Sequence, residues 1–190
     1  MTRGAEAGRR SWVREKPLAV RNRQTSNISP MPEIQRVRLD HAPALLAFEQ
    51  ENRAYFAASI SDRGDDYFTH FDARHRDLLE QQAAGVHIFH VLVEADGAVV
   101  GRINLYEITE STAELGFRIA EKSAGQGLAQ RAVQQICEIA VAELGLTQLL
   151  AAAAVDNLAS RAVLARTGFV PVGETALGGR AAITFARPLS

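Results

Sequence analysis

The chain has 190 residues, of which 47% are hydrophobic, and a formal net charge of −1; this is enough apolar material for one compact core and scarcely enough for two. No apolar run approaches the ~20 residues that a membrane-spanning helix needs, and the first thirty residues contain no signal-peptide core. Cys137 is the only cysteine, which excludes an intrachain disulfide and a thiolate metal cluster. We therefore expect a single cytoplasmic domain.

Charge is distributed unevenly along the chain. Residues 1–30 carry a net charge of +5 and the remaining residues a net charge of −6. Because the first segment lacks apolar periodicity, we predict a disordered basic extension over 1–30, with Met31 as the natural start and the folded domain over 31–190. A nucleic-acid-binding arm is the alternative for the extension. The acidic remainder argues against nucleic-acid binding and favours a cationic or amine substrate.

Hydrophobic patterning predicts strands and helices in alternation. Asp40 is a suitable N-cap for the first helix, Gly85 ends the second, and Asp96-Gly97 is a strong hairpin signal. Mixed strands with crossover helices indicate an α/β fold, a mixed central sheet flanked by helices on both faces. The predicted elements, in chain order, are strand 34–39, helix 41–56, helix 67–84, strands 87–94, 98–108 and 112–120, helix 127–144, strand 148–155, helix 157–167 and a hairpin from 169.

The strand over 112–120 runs into two glycines, Gly125 and Gly127, and a long helix starts directly after them. Glycines let backbone N–H groups turn inward, and the N-terminus of the helix adds the positive end of its dipole. This junction is suited to a phosphate, although an ordinary tight strand-to-helix turn has the same pattern. Cys137 falls in the apolar stripe of the long helix, together with Val133 and Val141, which predicts a buried structural thiol.

Two separated blocks carry a family resemblance. Lys122-Ser123-Ala124-Gly125-Gln126-Gly127 matches the glycines of the motif Arg/Gln-x-x-Gly-x-Gly/Ala, with lysine at its first position. Asn157-x-x-Ser160, followed by Gly168-Phe169, lies at the matching distance from it. Over residues 33–188 the chain resembles the GNAT (Gcn5-related N-acetyltransferase) superfamily, and within it the RimJ/RimL-like branch of ribosomal-protein alanine acetyltransferases. The resemblance implies the GNAT acyl-CoA N-acyltransferase fold and acetyl-CoA as the acetyl donor.

The resemblance also implies where acetyl-CoA binds. Backbone N–H groups of the glycine junction hold its pyrophosphate, and its pantetheine arm pairs with the preceding strand like an additional strand. Asn157 contacts this arm, caps the helix that follows, or does both. The implied cofactor-binding residues are Phe117, Arg118, Ile119, Lys122, Gly125, Gln126, Gly127, Leu128, Ala129 and Asn157.

The implied reaction is direct attack of a primary amine on acetyl-CoA in a ternary complex. An amine must be neutral to attack, so a carboxylate or a water has to take its proton. Glu114, in the strand before the glycines, is the first candidate, with a solvent-facing strand carboxylate as the alternative, and Glu107 is the second candidate. A backbone N–H around Gly116 or Phe117 is suited to polarising the thioester carbonyl.

The proton donor to the departing thiolate cannot be the tyrosine that many members of the family use. Leu164 stands where many members of the family have a tyrosine that serves as general acid. The resemblance to the RimJ/RimL-like branch offers Ser160 instead, and a hydroxyl near a helix cap is the alternative for that residue. We predict no metal site, because His87 and His90 lie on opposite faces of a strand.

The acceptor is the least defined part of the prediction. The region between the first two helices lines the acceptor site in the family, and its acidic and aromatic side chains suit an amine. A protein or peptide N-terminal amine is favoured; a small-molecule amine (an antibiotic or a polyamine) and a non-catalytic acyl-CoA-binding scaffold are the alternatives. We expect no nucleic-acid or membrane partner, and a homodimer is compatible with the family. The candidate acceptor residues are Glu49, Glu51, Asn52, Tyr55, Phe56, Arg63, Tyr67 and Phe68.

Overall fold

Seven strands form one mixed sheet in the computed structural model, which describes residues 31–190. The predicted basic extension, 1–30, lies outside the described residues. The strands are β1 (Glu33–Arg36), β2 (Ile88–Val93), β3 (Val99–Tyr106), β4 (Thr112–Ile119), β5 (Gln148–Ala154), β6 (Val170–Leu177) and β7 (Arg180–Pro188). The helices are α1 (Ala42–Glu51), α2 (Arg53–Ala57), α3 (Asp65–Thr69), α4 (Phe71–Ala83), α5 (Leu128–Leu144) and α6 (Leu158–Arg166).

The sheet order is β1-β2-β3-β4-β5-β7-β6. β4 and β5 run parallel, as the crossover through α5 requires, and the other neighbouring strands are antiparallel. The predicted hairpin at Asp96-Gly97 is present: the N–H of Glu94 donates to the carbonyl of Ala98 at 2.8 Å. The mixed α/β sheet predicted from the sequence is therefore confirmed.

Helices bury both faces of the sheet. On one face α5 and α6 pack on β3, β4 and β5 around Ile103, Ile136 and Leu149, none of which is exposed. On the other face α1, α2 and α4 pack on β2 around Phe48 and Val91. The predicted two-faced cover is thus correct, and burial of these side chains supplies the main driving force for folding.

The apolar stripe of α5 is narrower than its sequence suggests. Val133 and Cys137 of the predicted stripe are buried, and so are Ile136 and Ala140, but Val141 is 37% exposed. The helix touches the sheet along one stripe only, and Val141 lies at the margin of that stripe. Including it among the buried residues was wrong.

The first predicted helix, 41–56, is in fact two helices that meet at Asn52. The backbone of Asn52 leaves the helical region, with φ −103° and ψ 7°. Its side-chain amide donates to the carbonyl of Phe48 at 2.9 Å, and its Oδ1 accepts the N–H of Glu121 at 2.9 Å. A continuous helix was wrong here because a distant segment supplies the partner that stabilises the break.

Two other local predictions also need correction. The helix predicted over 67–84 is divided into α3 and α4 at His70, whose φ is −107°. Asp40 does not cap α1; it pairs with Arg38 at 3.1 Å, and α1 begins beyond His41 with Pro43 in its first turn. Proline sets the helical φ without needing a hydrogen-bond acceptor, so a side-chain cap is not required.

Parallel pairing between β4 and β5 stops before either strand ends. The last paired residues are Leu115 and Ala151, yet β4 continues to Ile119 and β5 to Ala154. Beyond this point the two strands separate and leave an opening in the sheet. The N-terminus of α5 lies at this opening, and the functional site is built there.

Candidate active site

A cavity of about 590 Å³ occupies the opening between β4 and β5. Residues 115–119 of β4 and 151–154 of β5 form its walls, and the start of α5 and one side of α6 contribute further lining. Residues in the 55–61 segment and in the β6–β7 turn reach the same cavity. The turn meets the 55–61 segment where Gly178 lies against the Ser61 hydroxyl. The cavity therefore crosses the sheet from the α1–α3 side to the α5–α6 side.

The two predicted glycines form the end of this cavity next to α5. Gly125 and Gly127 have left-handed φ values of 72° and 73°, which favour glycine, and Gly127 is the N-cap of α5 without a side-chain cap. The first backbone bond inside the helix runs from the N–H of Arg131 to the carbonyl of Gly127, at 3.1 Å. The earlier N–H groups, those of 128–130, have no intrahelical acceptor and belong to residues that line the cavity. This end of the cavity suits an anion.

Two residues of the predicted glycine motif point their side chains elsewhere. The Lys122 ammonium lies 3.8 Å from the carboxylate of Glu94. The Gln126 amide donates to the carbonyl of Lys122 at 2.9 Å. Neither residue lines the cavity. A contribution from this pair to ligand binding would therefore come from the main chain.

Side chains alternate between the two faces of the sheet along β4. Phe117 and Ile119 pack against the core under α5, whereas Gly116 and Arg118 face the α1 side. On that side the ring of Tyr106 covers Gly116 so closely that a Cβ there would lie 2.8 Å from the ring. Only glycine fits at this position without displacing the ring.

α6 presents Asn157 and Ser160 to the cavity. The Oδ1 of Asn157 accepts the N–H of Ser160 at 3.1 Å, so Asn157 caps the helix, one of the two roles predicted for it. Leu164 also reaches the cavity but is only 1% exposed. Of these three side chains, the Ser160 hydroxyl is the one that can donate a proton.

The two carboxylates predicted as bases lie beside each other at the end of the β3–β4 pair. Glu114 is half-buried and pairs with Tyr106 across the strands, and Glu107 is exposed just after β3. Burial and repulsion from Glu107 raise the pKa of Glu114. Neither residue lines the cavity, but Leu115 and Gly116, the next residues of β4, do.

Glu107 has an unusual backbone. Its φ of 49° places a residue with a side chain in the left-handed region. Its N–H donates to Nδ1 of His87 at 2.9 Å, which holds this conformation. Because strained positions persist where the surroundings fix them, the position of Glu107 beside Glu114 is determined by the fold.

The predicted acceptor residues divide into three groups. Tyr55 and Phe56 line the main cavity. Glu49, Arg63 and Phe68 line a small adjoining crevice, which Phe56 and Arg118 also line. The remaining candidates line neither space: these are Glu51, Asn52 and Tyr67.

Glu49 cannot serve an incoming amine directly. Its buried carboxylate accepts from Arg102 at 2.7 Å and from Arg118 at 3.0 Å, and Arg63 lies 3.5 Å away. Burial alone would raise the pKa of Glu49, but these arginines together hold it below its ordinary value. The carboxylate is therefore ionised and already occupied.

Sequence reasoning missed several residues that shape the site. Tyr106 and the buried Arg102 both stand in β3, and their positions over Gly116 and against Glu49 come from tertiary packing. The alanines at 151–154 fall within the predicted strand 148–155, which carries no site prediction, yet they all line the cavity. A run of the smallest side chains beside a predicted ligand site is a signal that could have located this wall.

Other features of the described part of the chain lie apart from the cavity. Cys137 is buried and accepts a bond from Arg187 at 3.2 Å, and burial raises the pKa of its thiol. Within residues 31–190 no helix has the length and apolarity to cross a membrane, and no three His, Cys, Asp or Glu side chains converge as a metal site would need.

Comparison with known proteins gives similarities to acetyltransferases. Over 81 residues the chain is 36% identical to YdaF, a putative ribosomal N-acetyltransferase of Bacillus subtilis; the match covers 42% of this chain and 44% of that protein, less than half of its length. The fold resembles the ribosomal-protein-S5-alanine acetyltransferase of Vibrio fischeri, with a TM-score of 0.77 and 20% identity over 85% of this chain and 98% of that one.

A second solved structure has the same fold with a ligand bound. It is Mycobacterium smegmatis RimJ in complex with CoA-disulfide, with a TM-score of 0.73 and 22% identity over 82% of this chain and 80% of that one. The family model described as the acetyltransferase (GNAT) domain matches residues 33–170, which is more than half of the chain. The chain therefore belongs to the GNAT family of N-acetyltransferases.

Proposed function

We propose that this protein transfers an acetyl group from acetyl-CoA to a primary amine, and that the amine is the N-terminus of a protein or peptide. The observation that carries the proposal is the opening between β4 and β5, which leads directly to the glycine-preceded N-terminus of α5. An extended donor that ends in a pyrophosphate matches this shape and this polarity.

The lining of the cavity fits such a donor. Its charged lining residues among those described are Arg118, Arg166 and Arg180, and it has no Asp or Glu. Arginine binds phosphate oxygens well, and Arg166 is exposed at the cavity. Where β4 and β5 separate, each strand has backbone groups that the other no longer pairs, so an amide-bearing arm can bind there as an added strand.

The cofactor-binding residues follow from this placement. The N–H groups of 125–129 hold the pyrophosphate, with Lys122 and Gln126 acting through the backbone. Phe117, Arg118 and Ile119 run beside the arm, and Asn157 orders the start of α6 against it.

Acetyl-CoA supplies the acetyl group as an activated thioester. Glu114 accepts the proton of the attacking amine, directly or through a water, because its raised pKa makes it a stronger base than an ordinary carboxylate. Glu107 raises that pKa and shares the proton relay. Ser160 donates a proton to the departing sulfur, the role that a tyrosine at the position of Leu164 has in many members of the family.

We further infer that the amine attacks directly, without a covalent enzyme intermediate. Cys137, the sole thiol in the sequence, is buried and does not line the cavity. A serine needs an adjacent base to act as a nucleophile, and the described contacts place none beside the Ser160 hydroxyl; the Ser160 N–H donates to Asn157. A ternary complex is therefore the simplest route. Double-reciprocal plots of the initial rate against acetyl-CoA, at several fixed concentrations of the amine, should give intersecting rather than parallel lines.

A peptide N-terminus is favoured because the Bacillus subtilis relative and the Vibrio fischeri structure both carry the names of ribosomal-protein acetyltransferases. The proposal is tested by incubating the purified chain with acetyl-CoA and a panel of peptides, polyamines and aminoglycosides. Free thiol release gives the rate, and mass spectrometry locates the acetyl group. The matched control is each peptide with its N-terminus formylated.

We expect thiol release with free peptides and none with the formylated ones. Faster turnover of small amines than of every peptide would contradict the peptide acceptor. Tight acetyl-CoA binding with no thiol release in the presence of any amine would instead indicate a scaffold.

A further inference from the structure

The Glu49 carboxylate is surrounded by more positive charge than it can neutralise. Arg102, Arg118 and Arg63 all approach this one carboxylate, which leaves two positive charges without a balancing anion. Arg102 is buried on β3, and its Nε has no hydrogen-bond partner among the described residues. Burial of unbalanced cations is unfavourable, so this cluster is a place where an anion would be stabilising.

The surplus is specific to this cluster. Arg53 also lines the crevice beside Glu49, but it is paired with Asp62 at 2.6 Å and with Asp65 at 2.7 Å. The carboxylate of Asp62, which lines the crevice too, is occupied by the same pair. Asp62 and Asp65 together exceed the charge of Arg53 by one, so across both groups four arginines face three carboxylates and one positive charge stays without a balancing anion.

The surplus charge is accessible from the cavity. Arg118 lines both the main cavity and the crevice, and its side chain is 20% exposed. Arg63 lines the crevice with its side chain 31% exposed, and it stacks on the ring of Tyr67 at 4.4 Å. Burial, together with repulsion from Arg63 and Arg102, lowers the pKa of Arg118, as expected where positive groups crowd.

Both arginines are held in fixed positions. The Glu49 carboxylate pairs with Arg118, and the guanidinium carbon of Arg118 lies 5.0 Å from the centre of the Phe56 ring. The ring of Tyr67 and the carboxylate of Glu49 constrain Arg63 in the same way. Guanidinium groups ordered before a ligand arrives lose less entropy when they bind a planar carboxylate or a phosphate.

We propose that the acceptor amine carries an anionic group, a carboxylate or a phosphate, and that Arg118 and Arg63 bind this group. The inference rests on the proposed function and adds the chemical class of its acceptor. In a peptide the anion is an acidic side chain close to the N-terminus. The phosphates of the donor are the other source of an anion, but the glycine end of the cavity already provides for them.

The test uses acceptor pairs that differ in charge and hardly in shape. One pair of peptides has Asp or Asn at the second residue, another has Asp or Asn at the third, and β-alanine with its amide is the small-molecule pair. The variants are Arg63→Gln, Arg63→Lys and, as a matched control, Arg74→Gln. Arg74 lies over the same Tyr67 ring at 5.9 Å but lines neither space.

We expect the wild-type kcat/KM to favour the acidic member of at least one pair by about tenfold, the effect of one charge-assisted bond to a partly exposed guanidinium. Arg63→Gln should remove most of this preference through the KM of the acceptor, Arg63→Lys should restore part of it, and Arg74→Gln should leave it intact. The KM for acetyl-CoA should be unchanged in all three variants.

Equal kcat/KM for both members of every pair in the wild type would overturn the inference while leaving the proposed function standing. A rise in the KM for acetyl-CoA in Arg63→Gln, with the acceptor preference retained, would also overturn it, because the anion would then belong to the donor. A preference confined to the β-alanine pair would support the inference and contradict the peptide acceptor.

Failure to acetylate any amine would overturn the proposed function instead. The same pairs would then be titrated calorimetrically against the protein saturated with CoA. Tighter binding of the acidic members that is lost in Arg63→Gln would support the anion site, and equal binding would overturn it.

Discussion

Replacing Glu114 by glutamine removes a proton acceptor and keeps the size of the side chain. The carboxylate is half-buried beside Glu107, and both burial and the neighbouring charge raise its pKa. If Glu114 is the base, its ionised form is required for turnover, so activity falls as the pH drops through that pKa. We therefore expect the acid limb of kcat/KM to lie above the pH at which an ordinary glutamate titrates.

The magnitude follows from where the side chain lies. A positioned general base contributes roughly 10²–10⁴ to a rate. Since Glu114 stands next to the cavity rather than in its lining, a water would relay the proton. We therefore expect Glu114→Gln to lower the plateau of kcat/KM by about 10², the lower end of that range.

Glu107→Gln gives the opposite pattern. Removing the repelling charge lowers the pKa of Glu114, so the acid limb should move to lower pH, and the plateau should fall less than in Glu114→Gln because Glu114 remains as the base. Initial rates of thiol release from pH 5 to 9 measure both effects, and Glu110→Gln, an exposed carboxylate in the same loop, is the control. A double variant E107Q/E114Q that stays within about threefold of the wild type across this range would refute the assignment, given the size expected of a base.

Three further substitutions test the glycine junction before α5, the close packing of Gly116 in β4, and the role of His90 in stability at acid pH. Gly127→Ala should raise the KM for acetyl-CoA about tenfold by crowding the N–H groups at the start of α5. Gly85→Ala is the control, because Gly85 has a similar positive φ with open space around it, and it should leave this KM unchanged. Equal effects of the two substitutions on KM would contradict pyrophosphate binding at the glycine junction. Gly116→Ala places a Cβ 2.8 Å from the Tyr106 ring and should lower the free energy of unfolding by about 1–3 kcal/mol in urea titrations, a loss that Tyr106→Leu should relieve if the ring is its cause. Burial of His90, with a smaller contribution from Arg36, lowers its pKa from 6.5 to about 4. Above pH 6.5 His90 is neutral in both the folded and the unfolded chain. As the pH falls from 6.5 toward 4 the unfolded chain takes up a proton that the buried ring does not, so the free energy of unfolding falls by up to about 3 kcal/mol. His90→Gln should flatten this part of the curve of unfolding free energy against pH, and parallel curves for the variant and the wild type would exclude His90 as the cause.

Local patterns in the sequence predicted the parts of the fold that depend on neighbouring residues. The Asp96-Gly97 turn, the glycine junction and the buried position of Cys137 all follow from signals within a few residues. The break at Asn52 does not, because its stabilising partner is the N–H of Glu121, far along the chain. The apolar pattern on either side of Asn52 is helical, so periodicity alone predicts one helix.

The candidate site shows the same division. Gly125, Gly127 and Asn157 lie at the cavity because the sequence there specifies a turn and a helix cap, whereas Lys122 and Gln126 of the same motif do not line it. The state of Glu49 could not be foreseen, since three arginines from two strands and a loop meet it only in the folded chain. Its acidic character in the sequence suggested an amine site, whereas its surroundings in the structure are positively charged.

The opening between β4 and β5 explains how this sheet leaves room for a ligand. Parallel pairing beyond Leu115 and Ala151 would close the sheet and fill the space with backbone. The small side chains at 151–154 form one wall without filling the gap, and Gly116 lets the Tyr106 ring approach the other. Unpaired strand edges are costly unless something binds them. The unmet backbone groups and the free N-terminus of α5 support the proposed donor that pairs with the separated strands, and the surplus charge at Arg118 supports the proposed anionic group on the acceptor beside it.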